Sequence, residues 1–141
     1  MEGSFKIRFE TDNNFKSVEI RDAADSADYL RKIWNDMPIY ESVYVLTLKG
    51  GNVTGWVKLS CGGMTKTIID VRLLCKIAID SLCDAVIIAH NHPSGQLIPS
   101  DADKHMTQKT REALDMFDID LLDHIILTEN GYFAFSEHNL L

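Results

Sequence analysis

The sequence predicts an α/β domain built as a mixed β-sheet with helices packed on it. Three observations carry that prediction. β-rich and helical patterns alternate through the middle of the 141-residue chain. Turn signals at Lys49-Gly50-Gly51-Asn52 and Asn130-Gly131 join extended runs into hairpins, which adds antiparallel pairs. The run Ala85-Val86-Ile87-Ile88-Ala89 is apolar throughout, as a strand covered on both faces requires.

The elements follow in order. Phe5-Lys6-Ile7-Arg8-Phe9 alternates with the period of a half-buried strand, Asp12-Asn13-Asn14 turns, and Ser17-Val18-Glu19-Ile20 is the expected returning partner. Asp22 caps a helix carrying Tyr29, Leu30, Ile33, Trp34 and Met37 at helical spacing, with Pro38 as its stop. Residues 1–37 thus read as a hairpin-plus-helix extension. Ser42–Leu48 and Val53–Ser60 form a hairpin, and Cys61-Gly62-Gly63 separates it from a short extended piece at Thr65–Ile69. Asp70 caps a second helix whose apolar face is Val71, Leu74, Ala78 and Leu82. Ser100 opens a third helix running to about Phe117. Ile119–Leu127 is a further strand, and Tyr132–Phe135 pairs back on it. Without repeats, low-complexity segments or an evident linker, residues 1–141 are expected to form one domain.

Composition narrows the function. An apolar share of 45% and a charged share of 25% fit a globular protein. Net charge is 14 − 21 = −7, which disfavours direct binding to a phosphate backbone. No run reaches the roughly 18 apolar residues of a membrane span, and the first residues lack a signal-peptide core. Cys61, Cys75 and Cys83 are odd in number and form no C-x-x-C pair, so reduced thiols in a cytoplasmic protein are expected.

The chemistry concentrates between His90 and Asp103. Side chains two apart on an extended chain point the same way, so His90 and His92 can face one metal where the apolar strand ends. Asp103, in the first turn of the helix opened by Ser100, is a natural third ligand. Three ligands of this kind leave a fourth position for water, the usual pattern of catalytic zinc. Ser100 and Asp103 also have the spacing of a helix-capping pair. Of the remaining histidines, His105 is expected to face solvent and His124 to be a strand residue satisfied by hydrogen bonds, with support of the site as its other reading. His138 is uninformative.

The pattern His90-x-His92, seven residues, then Ser100-x-x-Asp103 resembles the JAMM motif of the JAB/MPN metalloprotease superfamily. The run His90-Asn91-His92-Pro93-Ser94-Gly95, with Leu122-Asp123-His124-Ile125-Ile126 downstream, is similar to the RadC-like branch. The likeness covers about residues 40–141. It implies a cytidine-deaminase-like fold, zinc (Zn2+) held by His90, His92 and Asp103, and Ser100 supporting the oxyanion. It also implies a general-base glutamate on an early strand, matched by Glu41. The chain departs from longer members in lacking a helix-hairpin-helix segment, and it has Lys49-Gly50 where an aspartate is expected.

The leading expectation is therefore a zinc-dependent hydrolase of peptide or isopeptide bonds, acting on a protein or peptide substrate. A nucleobase deaminase fits poorly, because that pattern is His-x-Glu with Pro-Cys-x-x-Cys and this chain has neither. A non-catalytic interaction domain and a DNA-repair-associated role are the other readings. Intact ligands argue against the first and the acidic balance against direct duplex binding in the second.

Overall fold

The computed structural model describes residues 14, 16–35, 37, 39–61 and 69–141. The expected strand at Phe5–Phe9, its turn at Asp12-Asn13, Pro38 and most of Thr65–Ile69 lie outside these residues. The described elements are α1 (Ala23–Ile33), β1 (Ser42–Lys49), β2 (Asn52–Cys61), α2 (Val71–Asp80), β3 (Ala85–Asn91), α3 (Asp101–Asp115), β4 (Asp120–Leu127) and β5 (Tyr132–Ala134). A single turn of 3-10 helix follows at Ser136–His138.

Each helix begins where a side-chain oxygen satisfies orphan backbone donors. The Asp22 carboxylate accepts from Asp25 N at 2.8 Å, and that of Asp70 accepts from Arg72 N and Leu73 N at 3.0 and 3.3 Å. At α3 the capping is reciprocal: Asp103 N donates to Ser100 Oγ at 3.1 Å, and Ser100 N donates to Asp103 Oδ2 at 2.8 Å.

The strands form one sheet in the order β2-β1-β3-β4-β5, in which only β3 and β4 run parallel. A parallel pair needs a long crossover, and α3 supplies it. Gly50 and Gly51, both at positive φ, close the β1–β2 hairpin as a two-residue loop. On one sheet face α1 packs Ala27, Leu30 and Trp34 against Tyr44, Leu46, Ile87 and Ile125. On the other, Leu74, Ala78 and Leu114 of α2 and α3 cover Val43, Val45, Val86 and Ile88. Central β3 is buried along its whole length, as its apolar run requires.

The structure departs from the expected boundaries at three places. Helix α1 stops at Ile33 rather than continuing to Met37. Trp34 takes extended angles, and its ring packs 4.3 Å from that of Tyr44. Leu82 is not on the apolar face of α2. It lies beyond the helix end at φ 54° and is 75% exposed, while Ile77 takes the buried place. Helix α3 ends at Asp115, two residues before Phe117. The segment at Ser17–Ile20, whose expected partner Phe5–Phe9 lies outside the described residues, meets the start of β2: Glu19 bridges Asn52, and Ile20 N donates to Gly51 O at 2.9 Å.

The β3–β4 ladder carries an irregularity that matters for the site. Val86 pairs with Leu121 but Ile87 pairs with Asp123, so Leu122 is an extra residue on β4 and lies exposed. A one-residue slip reverses which side of the sheet every later residue faces. From Leu122 onward His124 is opposite Ile88, on the α3 side, rather than turned toward α1.

Candidate metal centre

The site lies where β3 emerges from the sheet, against the first turn of α3. His90 is buried on β3, on the α3 side. His92 follows one residue beyond the strand, held by its own N–H donating to Leu127 O at 2.9 Å. The alternation of an extended chain puts both rings on one side, and their Nε2 atoms lie 3.0 Å apart. Asp103 approaches from α3, with Oδ1 at 3.5 Å from His90 Nε2 and Oδ2 at 3.7 Å from His92 Nε2. Ligand atoms about 2.0–2.1 Å from a tetrahedral zinc would lie about 3.3 Å apart. The histidine pair at 3.0 Å, and the two Asp103 oxygens at 3.5 and 3.7 Å from one histidine each, lie close to that spacing, so the residues present are chemically suited to a zinc ion.

Asp103 caps α3, as its spacing from Ser100 suggested, and its carboxylate also faces the histidine pair. Oδ2 accepts the Ser100 N–H and completes the helix cap, while the carboxylate still faces both histidines. Burial works to raise its pKa. The His90 interaction and the Ser100 N–H outweigh that and hold the carboxyl well below the usual carboxylate range.

Glu41 reaches the same place from β1. Its residue stands just before the strand, and the antiparallel register that pairs Val43 with His90 carries it alongside His92. One carboxylate oxygen of Glu41 and one ring nitrogen each from His90 and His92 lie within 4.8 Å of one another. Two carboxylates therefore flank one histidine pair. Asp103 faces the pair from α3, with one oxygen toward each ring, and Glu41 faces it from the start of β1. Ser100 lines the same cleft of about 300 Å³, whose apolar wall includes Val43, Ile98 and Met106.

Three residues support the site; Asn91 and Thr107 escaped sequence reasoning, whereas His124 had site support as its second reading. Asn91, between the two histidines, faces the other way and is fully buried. Its Oδ1 accepts from Ser42 N at 2.7 Å and its Nδ2 donates to Tyr40 O at 2.7 Å, so it grips the chain on both sides of Glu41. His124 is buried and hydrogen-bonded, as expected of a strand residue, but its partners are His90 Nδ1 and Thr107 Oγ1, each at 2.6 Å. Burial and the neighbouring His90 push its pKa well down, so the ring is neutral. Thr107 in turn bonds Asp103 O at 2.7 Å. A polar residue between two candidate ligands was a signal for Asn91. Nothing local marked Thr107. His105 is exposed as expected, and His138 sits apart, with its Nδ1 2.9 Å from Ala134 O.

Comparison with known proteins gives the chain's relatives. A family model described as "RadC-like JAB domain" matches residues 20–140, in keeping with the mixed sheet and its three helices. A "UPF0758 protein" of Flavobacterium johnsoniae is 37% identical over 126 residues, covering 89% of this chain and 55% of its own length. Proteins of the same description from Porphyromonas gingivalis and Chlorobium luteolum are 38% and 40% identical over 107 and 102 residues. Those matches cover 75% and 72% of this chain. The chain spans about half the length of these curated relatives, 47% and 46% for the latter two. Among the described residues, no helix is long and apolar enough to cross a membrane.

Proposed function

The chain belongs to the RadC-like JAB domain family, and from that membership and the geometry of its cleft we propose a zinc-dependent hydrolase of peptide or isopeptide bonds. One observation carries the reading: two histidine nitrogens and a carboxylate converge within 3.7 Å, and a second carboxylate borders them from the opposite element. His90, His92 and Asp103 would hold the zinc. Bound there, the ion would polarise the scissile carbonyl and lower the pKa of a water towards about 7.

The chain's own groups then divide the proton work. Glu41 takes the proton of the attacking water on a carboxylate oxygen and delivers it to the leaving nitrogen, so that amide and water become carboxylate and amine. Ser100 Oγ accepts from Asp103 N, which leaves its own proton to donate to the carbonyl oxygen as that oxygen gains charge. The substrate is a protein or peptide, placed across the cleft between Glu41 and the start of α3. The test is Glu41→Gln. Glutamine keeps the shape but cannot accept a proton, so hydrolysis of a peptide or isopeptide substrate should fall about 10²–10⁴-fold while zinc content stays at wild-type level. Equal hydrolysis by both proteins would reject the assignment.

A further inference from the structure

His124 and Thr107 lie behind the donor set and connect two of its members. The polarity of that connection is fixed from its far end. A backbone carbonyl only accepts, so the Thr107 hydroxyl donates its proton to Asp103 O at 2.7 Å. Its oxygen is left to accept across the 2.6 Å contact with His124, whose Nδ1 therefore carries a proton. The His124 ring is 1% exposed and hydrogen-bonds no carboxylate among the described residues, so it is neutral and holds one proton only. Its Nε2 is then an acceptor, and His90 Nδ1 is the donor across the remaining 2.6 Å. His90 Nε2 is left with a lone pair directed at the cleft, 3.0 Å from His92 Nε2, so in this tautomer the two rings can close on a cation but do not hydrogen-bond to each other. His92 is oriented separately, its Nδ1 donating to Gln96 O at 2.8 Å.

We propose that Thr107 and His124 are positioning residues that lock His90 in its Nδ1–H tautomer and thereby set the affinity of the centre for a divalent cation. Partners of this kind orient a ligand ring and raise its basicity. The relay also does mechanical work, since it starts on a candidate ligand of β3 and ends on the backbone of another in α3. The extra residue Leu122 makes it possible, because it turns His124 to the α3 side of the sheet. The affinity claim rests on the metal-centre reading given above, whereas the tautomer claim rests on hydrogen-bond geometry alone.

The test uses metal-free, 15N-labelled protein, with long-range 1H–15N spectra to locate each histidine proton, followed by zinc titration against a competing chelator. In the wild type and in Thr107→Ser, His90 carries its proton on Nδ1. In Thr107→Val the acceptor for His124 is gone. The protons of His124 and His90 then move to Nε2, zinc affinity falls about 10–100-fold, and His92 keeps its tautomer. A folded Thr107→Val protein with His90 still protonated on Nδ1, or with zinc affinity within about twofold of wild type, overturns the proposal. So does a wild-type His90 protonated on Nε2, whatever the variants do. A wild-type protein that takes up no zinc overturns the metal-centre reading and the affinity claim with it, and the metal-free spectra judge the tautomer claim in either case.

Discussion

Asn91 accepts the backbone N–H of Ser42 at 2.7 Å, so the residue between the two histidines holds the strand entry that carries Glu41. The same side chain donates to Tyr40 O at 2.7 Å and to Met37 O at 2.5 Å. Asn91→Asp keeps the acceptor but loses both donors and buries a charge. The expected cost is about 2–4 kcal/mol, because a fully buried side chain gains a charge and two part-buried carbonyls lose their donor. Chemical denaturation measures it. In the fraction that remains folded, zinc content should persist while turnover falls, since the substitution loosens Glu41 rather than the histidines.

Asp103→Asn separates the two roles of that residue. The amide oxygen still accepts the Ser100 N–H, so the helix cap survives and stability should change by less than about 1 kcal/mol. The anionic donor is lost, and zinc content measured by mass spectrometry should drop sharply. Asp101→Asn, on the exposed neighbour, should leave the metal in place.

Ser100 offers a second separation, between capping and chemistry. Ser100→Ala should cost about 1 kcal/mol of stability, and Ser100→Gly only a few tenths. Both variants lack the hydroxyl that faces the cleft, so both should lose hydrolysis to a similar degree. A rate that follows stability instead of the hydroxyl would show that Ser100 is a cap only.

Acid should weaken the metal-free fold through His124. Its folded pKa lies well below the ordinary value of 6.5, chiefly because burial penalises the charged ring. In the unfolded chain the same ring takes up a proton below about pH 6.5. Its contribution is therefore fully present above that pH and is lost as pH falls toward the folded pKa. Urea midpoints should drop from pH 7.5 to 5.5, and His124→Gln should show a smaller drop than wild type.

Much of this fold was legible because its signals are local. Asp22, Asp70 and Ser100 cap the helices they were expected to cap, and the uninterrupted apolar run of β3 marks the central strand. The paired glycines at positions 50 and 51 announce their turn. What stayed hidden depends on contacts between distant residues. The end of α1 is set by Trp34 against Tyr44, and the Ser17–Ile20 segment finds its partner at the β1–β2 turn. The site followed the same division. The pattern from His90 to Asp103 picked out residues that the fold brings together, and the resemblance pointed to Glu41, whose carboxylate lies near the histidine pair. The relay through Thr107 depends on the extra residue Leu122, which no short pattern in β4 betrays. Sequence placed His105 on a helix facing solvent and His124 on a strand, but only the register of β4 against β3 brings the His124 ring to His90.

The most direct measurement of the central claim is the zinc X-ray absorption spectrum of protein loaded with one equivalent of the ion. It should show two imidazole nitrogens, one carboxylate oxygen and a further light oxygen at about 2.0–2.2 Å, with one imidazole lost in His90→Ala and the carboxylate lost in Asp103→Asn. A spectrum unchanged in both variants, or a protein that retains no zinc after expression in zinc-supplemented medium, would contradict that claim.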